Sequence, residues 1–432
     1  MGSSSIDIAV VGASAAGLFA AIHAARSAPD ARVVAFDGAT KLGAKILVAG
    51  GGRCNVTHDV VDERQYAGST PAAIKKVLRA FDVDKTVAFF REQSVQLTRE
   101  ETGKLFPVSN RAQSVLDALL SACHSAGVRL QHPARVERLT QQGDHFELSF
   151  AGRPSLQARR VILATGGMAL PKSGSDGAGY DLARMFGHST TARVFPALVP
   201  LTLPSDHPLT KLSGIATDVR LELQSASGKR RRAFDGPLLC THFGISGPVV
   251  LDISRYYLDA LADARTSRAE GEASPQLVVN WLPPYNRESL DAALLAAGRN
   301  VAARWLQSQG LPERLSRTLC ELADVDSSLA LTSLTRQQRR ALVEVSVALR
   351  LPIAGHRGFT HAEVTAGGVP LSELELESME SRKQAGLYLC GEILDVDGRI
   401  GGFNFQWAWA SGYLAGCSAG AAFSRGCEAK AK

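Results

Sequence analysis

The feature that most constrains the fold is an apolar run that ends in a glycine turn near the N-terminus. Residues Ile6 to Val11 are followed by Gly12-Ala13-Ser14-Ala15-Ala16-Gly17, and an alanine-rich segment at helical spacing begins at Leu18. This order is typical of a βαβ unit that binds a dinucleotide, because the turn admits a pyrophosphate and the first helical amides point at it. Asp37 ends the next apolar run, about 20 residues further on, where an acid contacts a ribose.

The middle position of this fingerprint is serine instead of glycine. A serine crowds the backbone approach slightly, but its hydroxyl is able to donate to a phosphate. The predicted contacts of this unit with the dinucleotide are Gly12, Ser14, Ala15, Ala16, Gly17 and Asp37.

Composition narrows the class of protein. The 432 residues leave room for two or three domains, and 45% hydrophobic with 21% charged residues is ordinary for a globular protein. We find no apolar stretch long enough to span a membrane and no secretory signal at the N-terminus. Seven scattered cysteines without a C-x-x-C pair favour reduced thiols, which predicts a soluble cytoplasmic protein with no zinc site and no dithiol mechanism.

Three consecutive glycines, Gly50 to Gly52, follow Lys45 and precede Arg53-Cys54-Asn55. Such a run forms neither a good helix nor a good strand, so it predicts a loop whose backbone lies against a ligand. Arg53 suits a phosphate or a carbonyl, and Asn55 carries a donor and an acceptor for a ring edge. Cys54 has two interpretations, a redox-active thiol or a small residue in a crowded turn.

The segment Gly50 to Thr57 resembles the signature of the BaiN/YhiN-type flavoproteins, also called the aminoacetone-oxidase-like family of FAD-binding enzymes. The sequence departs from the family pattern at Ser14, at His58 (commonly Asn) and at Phe403 (usually Tyr). Further blocks that resemble the family, in family order, are 106–109 with 114–115, 164–167, 171–180, 241–248, 364–369, 391–398 and 401–408.

The resemblance implies an α/β fold: a Rossmann-like, glutathione-reductase-type FAD-binding domain with an inserted β-barrel-like domain and a helical subdomain. In such folds a strand near Val136 lies against the adenine, and a helix that begins after Gly402 faces the flavin pyrimidine. The cofactor contacts that we predict in addition are Lys45, Gly51, Gly52, Arg53, Cys54, Asn55, Val136, Thr165, Gly166, Gly167, Gly391, Glu392, Asp395, Gly402, Phe403 and Asn404.

Pattern changes along the chain predict the domain boundaries. Residues 1–196 and 355–432 form the discontinuous FAD-binding domain. Short strands separated by Pro, Gly and Ser turns predict an inserted β domain over 197–285. Apolar residues at i, i+3, i+4 and i+7 predict a helical subdomain over 286–354.

A single dinucleotide fingerprint predicts one tightly bound FAD, with NADH or NADPH as a transient co-substrate. The flavin then passes hydride to a small organic acceptor or to oxygen. His242, in a Gly/Pro-rich loop, has two interpretations: a proton donor or anchor beside the flavin, or a histidine that packs the loop. No metal cluster is apparent in the sequence.

The basic run Lys229 to Arg232 contributes to a net charge of +6. It is either a solvated hairpin or a patch for a phosphate-bearing partner such as RNA. The alternatives to a small-molecule oxidoreductase are therefore a flavoprotein that acts on RNA and a non-enzymatic flavin redox sensor. The sequence gives neither the substrate nor the oligomeric state.

Overall fold

The computed structural model describes residues 6–266 and 274–431, with side chains as far as residue 425. Its contacts divide the chain into two units, Met1–Pro196 with Glu363–Lys432, and Ala197–Ala362.

The strands, in chain order, are β1 (Ile6–Val11), β2 (Val33–Phe36), β3 (Thr57–His58), β4 (Tyr66–Gly68), β5 (Leu97–Arg99), β6 (Lys104–Pro107), β7 (Arg129–Gln131), β8 (Val136–Gln142), β9 (His145–Phe150), β10 (Arg153–Leu163), β11 (Phe195–Ala197), β12 (Leu201–Thr202), β13 (Ala216–Gln224), β14 (Arg230–Thr241), β15 (Gly244–Ser246), β16 (Gln276–Asn280), β17 (Leu349–Leu351), β18 (Gly355–His356), β19 (Val364–Ala366), β20 (Leu374–Glu375), β21 (Glu380–Ser381), β22 (Leu387–Leu389) and β23 (Val396–Gly398).

The helices are α1 (Ala15–Ser27), α2 (Ala44–Gly52), α3 (Pro71–Ala80), α4 (Val83–Glu92), α5 (Ala112–Ser125), α6 (Ala178–Arg184), α7 (Pro248–Thr266), α8 (Arg287–Ala296), α9 (Ala302–Ser308), α10 (Glu313–Leu322), α11 (Arg336–Val347) and α12 (Phe403–Ala431). No helix in the described part of the chain is both long enough and apolar enough to cross a membrane.

The first unit is built on a sheet of order β20-β21-β22-β10-β1-β2-β7, to which the β8–β9 hairpin is added at β10. The five strands β22, β10, β1, β2 and β7 are parallel to one another, while β21 and β9 pair antiparallel with β22 and β10. β1 is buried along its whole length, as expected for the central strand of a parallel sheet. The connection β1-α1-β2 therefore forms the βαβ unit that the sequence predicts.

Helix α12 lies directly on α1 because three glycines, four residues apart, remove the side chains between them. A Cβ placed at Gly412, Gly416 or Gly420 would stand 2.7, 2.3 or 2.6 Å from a backbone oxygen of α1. Trp407 and Trp409 are buried in the same helix, as the sequence predicts for core residues. The last helix of the chain thus fixes the helix that starts at the glycine turn.

The second unit contains an antiparallel sheet of order β17-β16-β13-β14-β15-β12-β18. Helix α7 packs against β13 and β14. The buried apolar residues of α8 to α11 belong to the same hydrophobic cluster as those of the sheet. One core therefore holds the strands and the helices together.

Three expectations about this part of the chain differ from the structure. Residues 286–354 are no separate subdomain, because their apolar residues share the core of the sheet. The return to the first unit lies at Glu363 instead of residue 355, because β18 pairs with β12. The 19-residue helix α7 was not predicted, although Val249, Ile253, Tyr257 and Ala260 are buried at helical spacing.

Candidate functional site

The glycine turn after β1 has no room for a side chain. Gly12 has φ 97°, and a Cβ there would stand 2.4 Å from the carbonyl oxygen of Ala164. A Cβ at Gly17 would stand 1.8 Å from the oxygen of Gly12. Ser14 is the N-cap residue of α1, but its side chain makes no capping hydrogen bond. The Ser14 hydroxyl and the first amides of the helix, including those of Ala15 and Ala16, are therefore not paired by a side-chain cap.

Asp37 ties this turn to the end of β2. Its carboxylate accepts hydrogen bonds from the amides of Ala13 (2.7 Å) and Ala39 (2.8 Å), and its carbonyl accepts one from Ala134 (2.6 Å). The carboxylate of Asp37 therefore holds the backbone of the turn, and its contact with a ribose stays a prediction. The bond to Ala134 also brings the start of β8, with buried Val136, beside Asp37.

The glycine-rich segment is a left-handed turn at the end of α2. Gly50 and Gly51 have φ of 58° and 68°, and Gly51 and Gly52 are exposed. The Arg53 guanidinium lies 4.0 Å from the centre of the Phe106 ring and 2.6 Å from a carboxylate oxygen of Glu100. Arg53 therefore has an acidic partner, Glu100, within the protein, and its contact with a phosphate or a carbonyl of the cofactor stays a prediction.

Cys54 and Asn55 follow this turn and are both buried. Cys54 has φ 58°, and burial raises the pKa of its thiol to about 12. The thiol is therefore protonated at neutral pH, which disfavours a reactive thiolate and agrees with a small residue in a crowded turn. The Asn55 Oδ1 atom is buried without a hydrogen-bond partner among the described groups.

Lys45 and Glu392 form the centre of a polar network. The Lys45 Nζ atom lies 2.7 Å from Glu392 Oε2 and 3.0 Å from Ser175 Oγ. The other oxygen of Glu392 accepts hydrogen bonds from the amide and the hydroxyl of Thr365. The Thr365 hydroxyl oxygen in turn accepts the amides of Met168 and Ala169.

Ser175 and Thr365 are members of this network that the sequence did not predict as site residues. Both stand in blocks that the family resemblance had picked out, but no local pattern shows that they meet Lys45. Thr365 is fully buried and lies against Gly167, where a Cβ would stand 2.4 Å from its hydroxyl oxygen. A Cβ at Gly166 would stand 2.7 Å from Ser175 Oγ. The two glycines thus let their strand-end turn pass close to both hydroxyls.

Two buried hydroxyls beside this network have no partner among the described groups. They belong to Thr165, which follows β10, and to Tyr180 on α6. Burial, followed by the carboxylates of Glu392 and Asp395, raises the pKa of Tyr180 above its usual value. A buried donor or acceptor without a hydrogen-bond partner lowers the stability of the folded state unless a ligand forms a hydrogen bond with it.

The segment before α12 approaches the glycine turn. A Cβ at Gly391 would stand 2.7 Å from the Cβ of Ala16 at the start of α1. The carbonyl of Gly391 accepts a hydrogen bond from the Trp407 indole at 3.2 Å, and Asp395 accepts one from the Ser69 hydroxyl at 3.4 Å. Gly391 is therefore next to the predicted pyrophosphate site.

The start of α12 is fixed by its own residues. Gly402 has φ 93°, and a Cβ there would stand 2.6 Å from the Thr57 backbone. The side chain of Asn404 exchanges two hydrogen bonds with the backbone of Gly398, at 2.8 and 2.9 Å, so it holds the preceding turn. The Phe403 ring stacks on His58 at 4.9 Å, so these two departures from the family pattern contact each other.

These residues fit an FAD on structural grounds. The glycines at 12, 17 and 391 let neighbouring protein atoms pack closely around the start of α1, and this close-packed turn is here called the glycine cradle. The amides and the dipole at the start of α1 favour an anion. The unpartnered polar atoms of Asn55, Thr165 and Tyr180 offer hydrogen bonds that no described protein group uses. A phosphate-bearing, hydrogen-bonding cofactor satisfies both features. No cluster of metal-binding side chains occurs in the described residues.

His242 belongs to the second unit. It is exposed in the turn between β14 and β15, and its ring centroid lies 5.1 Å from that of Phe243. All the cofactor residues predicted above belong to the first unit. The role of His242 as a proton donor or anchor stays a prediction.

Fold and cradle together define a Rossmann-type FAD-binding flavoprotein. The family model described as HI0933-like protein Rossmann domain matches residues 6–418. The chain therefore belongs to the HI0933-like family, the BaiN/YhiN-type flavoprotein oxidoreductases.

Two curated relatives match over almost their full length. A 3-dehydro-bile acid delta(4,6)-reductase of Clostridium scindens is 36% identical over 413 residues, 95% of this chain and 98% of the relative. A ribosomal RNA dihydrouridine synthase of Escherichia coli is 31% identical over 412 residues, 94% of this chain and 96% of the relative.

Solved structures agree in fold. The 3-ketosteroid delta1-dehydrogenase of Sterolibacterium denitrificans, in complex with 1,4-androstadiene-3,17-dione, has a TM-score of 0.53 at 14% identity, with 97% of this chain and 100% of that chain covered. The quinol fumarate reductase subunit of E. coli has a TM-score of 0.51 at 16% identity, with 100% and 74% covered. At these identities the likeness concerns the fold alone.

Proposed function

We propose that this protein is an FAD-dependent reductase that uses NADH or NADPH to reduce a carbon–carbon double bond conjugated to a carbonyl in a small organic acceptor. The proposal is carried by the glycine turn at the start of α1 together with the unsatisfied buried polar atoms of Asn55, Thr165 and Tyr180 in the same unit. The C. scindens relative, a 3-dehydro-bile acid delta(4,6)-reductase, supports the reaction class.

The net reaction consumes one NAD(P)H and one proton and converts the C=C bond into a C–C bond. A bound FAD supplies the hydride chemistry between donor and acceptor. The amides at the start of α1 would bind the pyrophosphate, and Asp37 would bind the ribose while it holds the turn. Lys45 and Glu392, fixed by Thr365, would offer charged groups to the polar middle of the cofactor.

The proposal is tested by separating the two half-reactions. Purified protein is reduced anaerobically with NADH or NADPH until its flavin absorbance is bleached, and a 3-oxo-4-ene steroid is then added. We expect the absorbance to return and the steroid to gain two hydrogens, measured by mass spectrometry. Return of the absorbance only with oxygen would favour an oxidase, and slow bleaching by both donors would favour a redox sensor; either contradicts the proposal.

A second candidate function, reduction of uridine in RNA, is favoured by the β13–β14 hairpin. Arg230 lies 3.6 Å from Glu222, and Arg232 lies over the Tyr256 ring at 4.7 Å. Lys229 and Arg231 are exposed and form no ion pair with the described residues. The E. coli relative, named a ribosomal RNA dihydrouridine synthase, would act on the same kind of bond, because the uracil C=C is conjugated to a carbonyl.

This candidate predicts salt-sensitive binding of ribosomal RNA. Replacing Lys229 and Arg231 by Gln should weaken binding at low salt and lower the salt dependence by about two counterions. A matched control replaces Arg314 and Arg317, which lie on α10, by Gln, so that net charge changes equally. Equal loss in both double variants, or no binding at low salt, would contradict a role of the hairpin.

A cytoplasmic location is part of the proposal. Six cysteines of the described residues are free thiols, and five of them are buried. Free thiols persist in a reducing compartment. Fractionation of cells that express the tagged protein tests this location.

A further inference from the structure

A buried histidine of the first unit lies between a carboxylate and a hydroxyl at the edge of the main sheet. His188 follows α6, Glu373 precedes β20, and Ser381 ends β21. The His188 Nδ1 atom lies 2.7 Å from Glu373 Oε2, and its Nε2 atom lies 2.8 Å from Ser381 Oγ. The His188 side chain is 0% exposed. We call these three residues the histidine clasp.

The serine hydroxyl determines what His188 Nε2 does. Ser381 Oγ accepts hydrogen bonds from the amides of Lys383 and Gln384, both at 3.0 Å. A serine hydroxyl has one proton and two acceptor positions. Because both acceptor positions are used by amides, the hydroxyl proton is donated to His188 Nε2. This nitrogen is therefore an acceptor and carries no proton.

The carboxylate of Glu373 is the second fixed partner of the imidazole. Its oxygens accept hydrogen bonds from the Ser189 hydroxyl at 2.6 Å and from Lys383 Nζ at 2.8 Å. Burial by itself raises its pKa, but hydrogen bonds from Lys383, Ser189 and His188 lower this pKa to about 2. The ionised carboxylate only accepts, so His188 Nδ1 donates to it. The imidazole in the clasp is therefore neutral.

A second proton on His188 would disrupt this arrangement. An Nε2–H group would point at Ser381 Oγ, whose acceptor positions are occupied, so the serine would have to release the amides that it holds. Burial lowers the pKa of His188, the hydrogen bond and charge of Glu373 raise it, and the charge of Lys383 lowers it. Among the described residues, Glu373 and Lys383 are the charged groups that act on the imidazole. The net shift of the His188 pKa is downward from 6.5, so the closed clasp excludes the proton below that pH.

The clasp joins two segments that lead to the polar network around Glu392. On one side, His188 follows α6, the helix that carries Tyr180, whose buried hydroxyl has no partner among the described groups. On the other side, Ser381 precedes β22, and the segment after β22 contains Glu392. Opening of the clasp would therefore loosen both segments.

We propose that the histidine clasp is a proton-sensitive switch: uptake of a proton by His188 separates β20 and β21 from the end of α6 and weakens the retention of FAD. This inference rests on the FAD binding of the proposed function and not on the identity of the acceptor. The open form takes up the proton at the ordinary pKa of 6.5. The closed clasp is thus favoured above that pH, and each pH unit below it favours opening by up to about tenfold.

Hydrogen exchange of the FAD-loaded protein, measured by mass spectrometry between pH 5 and pH 7, tests the switch. The readout is the protection factor of the amides at 382–386, which removes the intrinsic effect of pH on exchange. We expect wild-type protection to fall by roughly five- to tenfold per pH unit below pH 6.5. The rate of FAD release, measured by fluorescence, should rise over the same range.

Two histidine variants provide the comparison. His188→Gln carries no titrating group at the clasp, so both its protection and its FAD release should lose the response to acid. The matched control is His124→Gln on α5, an exposed position that should behave like the wild type.

Ser381→Ala distinguishes a titrating clasp from a purely structural contact. Without the hydroxyl, His188 Nε2 is open to a proton, and the amides of Lys383 and Gln384 lose their acceptor. We expect weaker protection than in the wild type at every pH, but no additional loss below pH 6.5. The pKa of His188, followed by NMR, should be higher in this variant than in the wild type.

Several outcomes would overturn the inference. They are wild-type protection that does not depend on pH, an equal response to acid in His188→Gln, and loss of protection in acid without faster release of FAD. If His188→Gln does not fold, as judged by circular dichroism, Ser381→Ala decides the question. If the purified protein binds no FAD, the proposed function is wrong, and exchange in the protein as purified still decides whether the clasp responds to protons.

Discussion

At Gly12 the backbone φ is 97°, and a Cβ would stand 2.4 Å from the Ala164 carbonyl oxygen. Gly127 also has a positive φ, 75°, but nothing lies within 4 Å of its Cβ position. Both Gly→Ala variants therefore meet the backbone penalty of about 1–2 kcal/mol, and only Gly12→Ala also meets a collision. We expect Gly12→Ala to lose bound FAD, measured by absorbance after desalting, and Gly127→Ala to retain it. Equal FAD content would contradict the cradle.

His23 is a buried titratable residue on α1, within rings of Phe19, Phe81, Phe89 and Tyr413. Burial, and then the charge of Arg26, lowers its pKa from 6.5 to about 3. The unfolded chain therefore takes up a proton below pH 6.5 that the folded chain refuses until about pH 3, and the folded state loses stability as the pH falls through this window.

The expected size of this effect is about 1.4 kcal/mol per pH unit. In His23→Leu the free energy of unfolding, measured by urea titration between pH 4 and pH 6, should depend less on pH by about that slope. Exposed His124 on α5 provides the control, since His124→Leu should leave the slope unchanged. Parallel curves for wild type and His23→Leu would contradict the burial of a neutral imidazole.

At the scale of elements, the glycines of α12 determine how closely this helix packs on α1. Gly→Ala inside an ordinary helix stabilises by about 1 kcal/mol. At Gly416 a Cβ would stand 2.3 Å from the Ala20 oxygen of α1, so Gly416→Ala should instead destabilise by about 1–3 kcal/mol. Thermal unfolding measures the difference, with the half-buried Ser418→Ala on the same helix as the control. An increase in Tm for Gly416→Ala would show that the two helices are not in close contact.

Local pattern was enough to predict the elements around the glycine turn. The run from Ile6 to Gly17 specifies a strand, a turn and a helix within a dozen residues, and steric limits leave few alternatives. The contact between Lys45 and Glu392 joins residues 347 apart in sequence, so no spacing rule reveals it. The same holds for Thr365, which forms hydrogen bonds with Met168 and with Glu392, both distant from it in sequence.

The second unit was harder to predict for a related reason. Helix α7 lies between strands β15 and β16. Because the sequence on both sides has the pattern of short strands, the helical spacing of its apolar residues was not recognised. The helices after residue 286 have recognisable periodicity, but periodicity does not tell which sheet their apolar face covers. Only the shared core joins them to β12–β18.

For the whole molecule, we propose that the bound flavin accepts hydride from a nicotinamide nucleotide. The most direct test is the visible spectrum of the purified protein, repeated anaerobically after addition of NADH and then NADPH. We predict a flavin spectrum, FAD as the released cofactor, and rapid bleaching by one of the two donors. A colourless protein that does not take up FAD would contradict FAD binding at the glycine turn. A flavin that neither donor bleaches would contradict the proposed reductant.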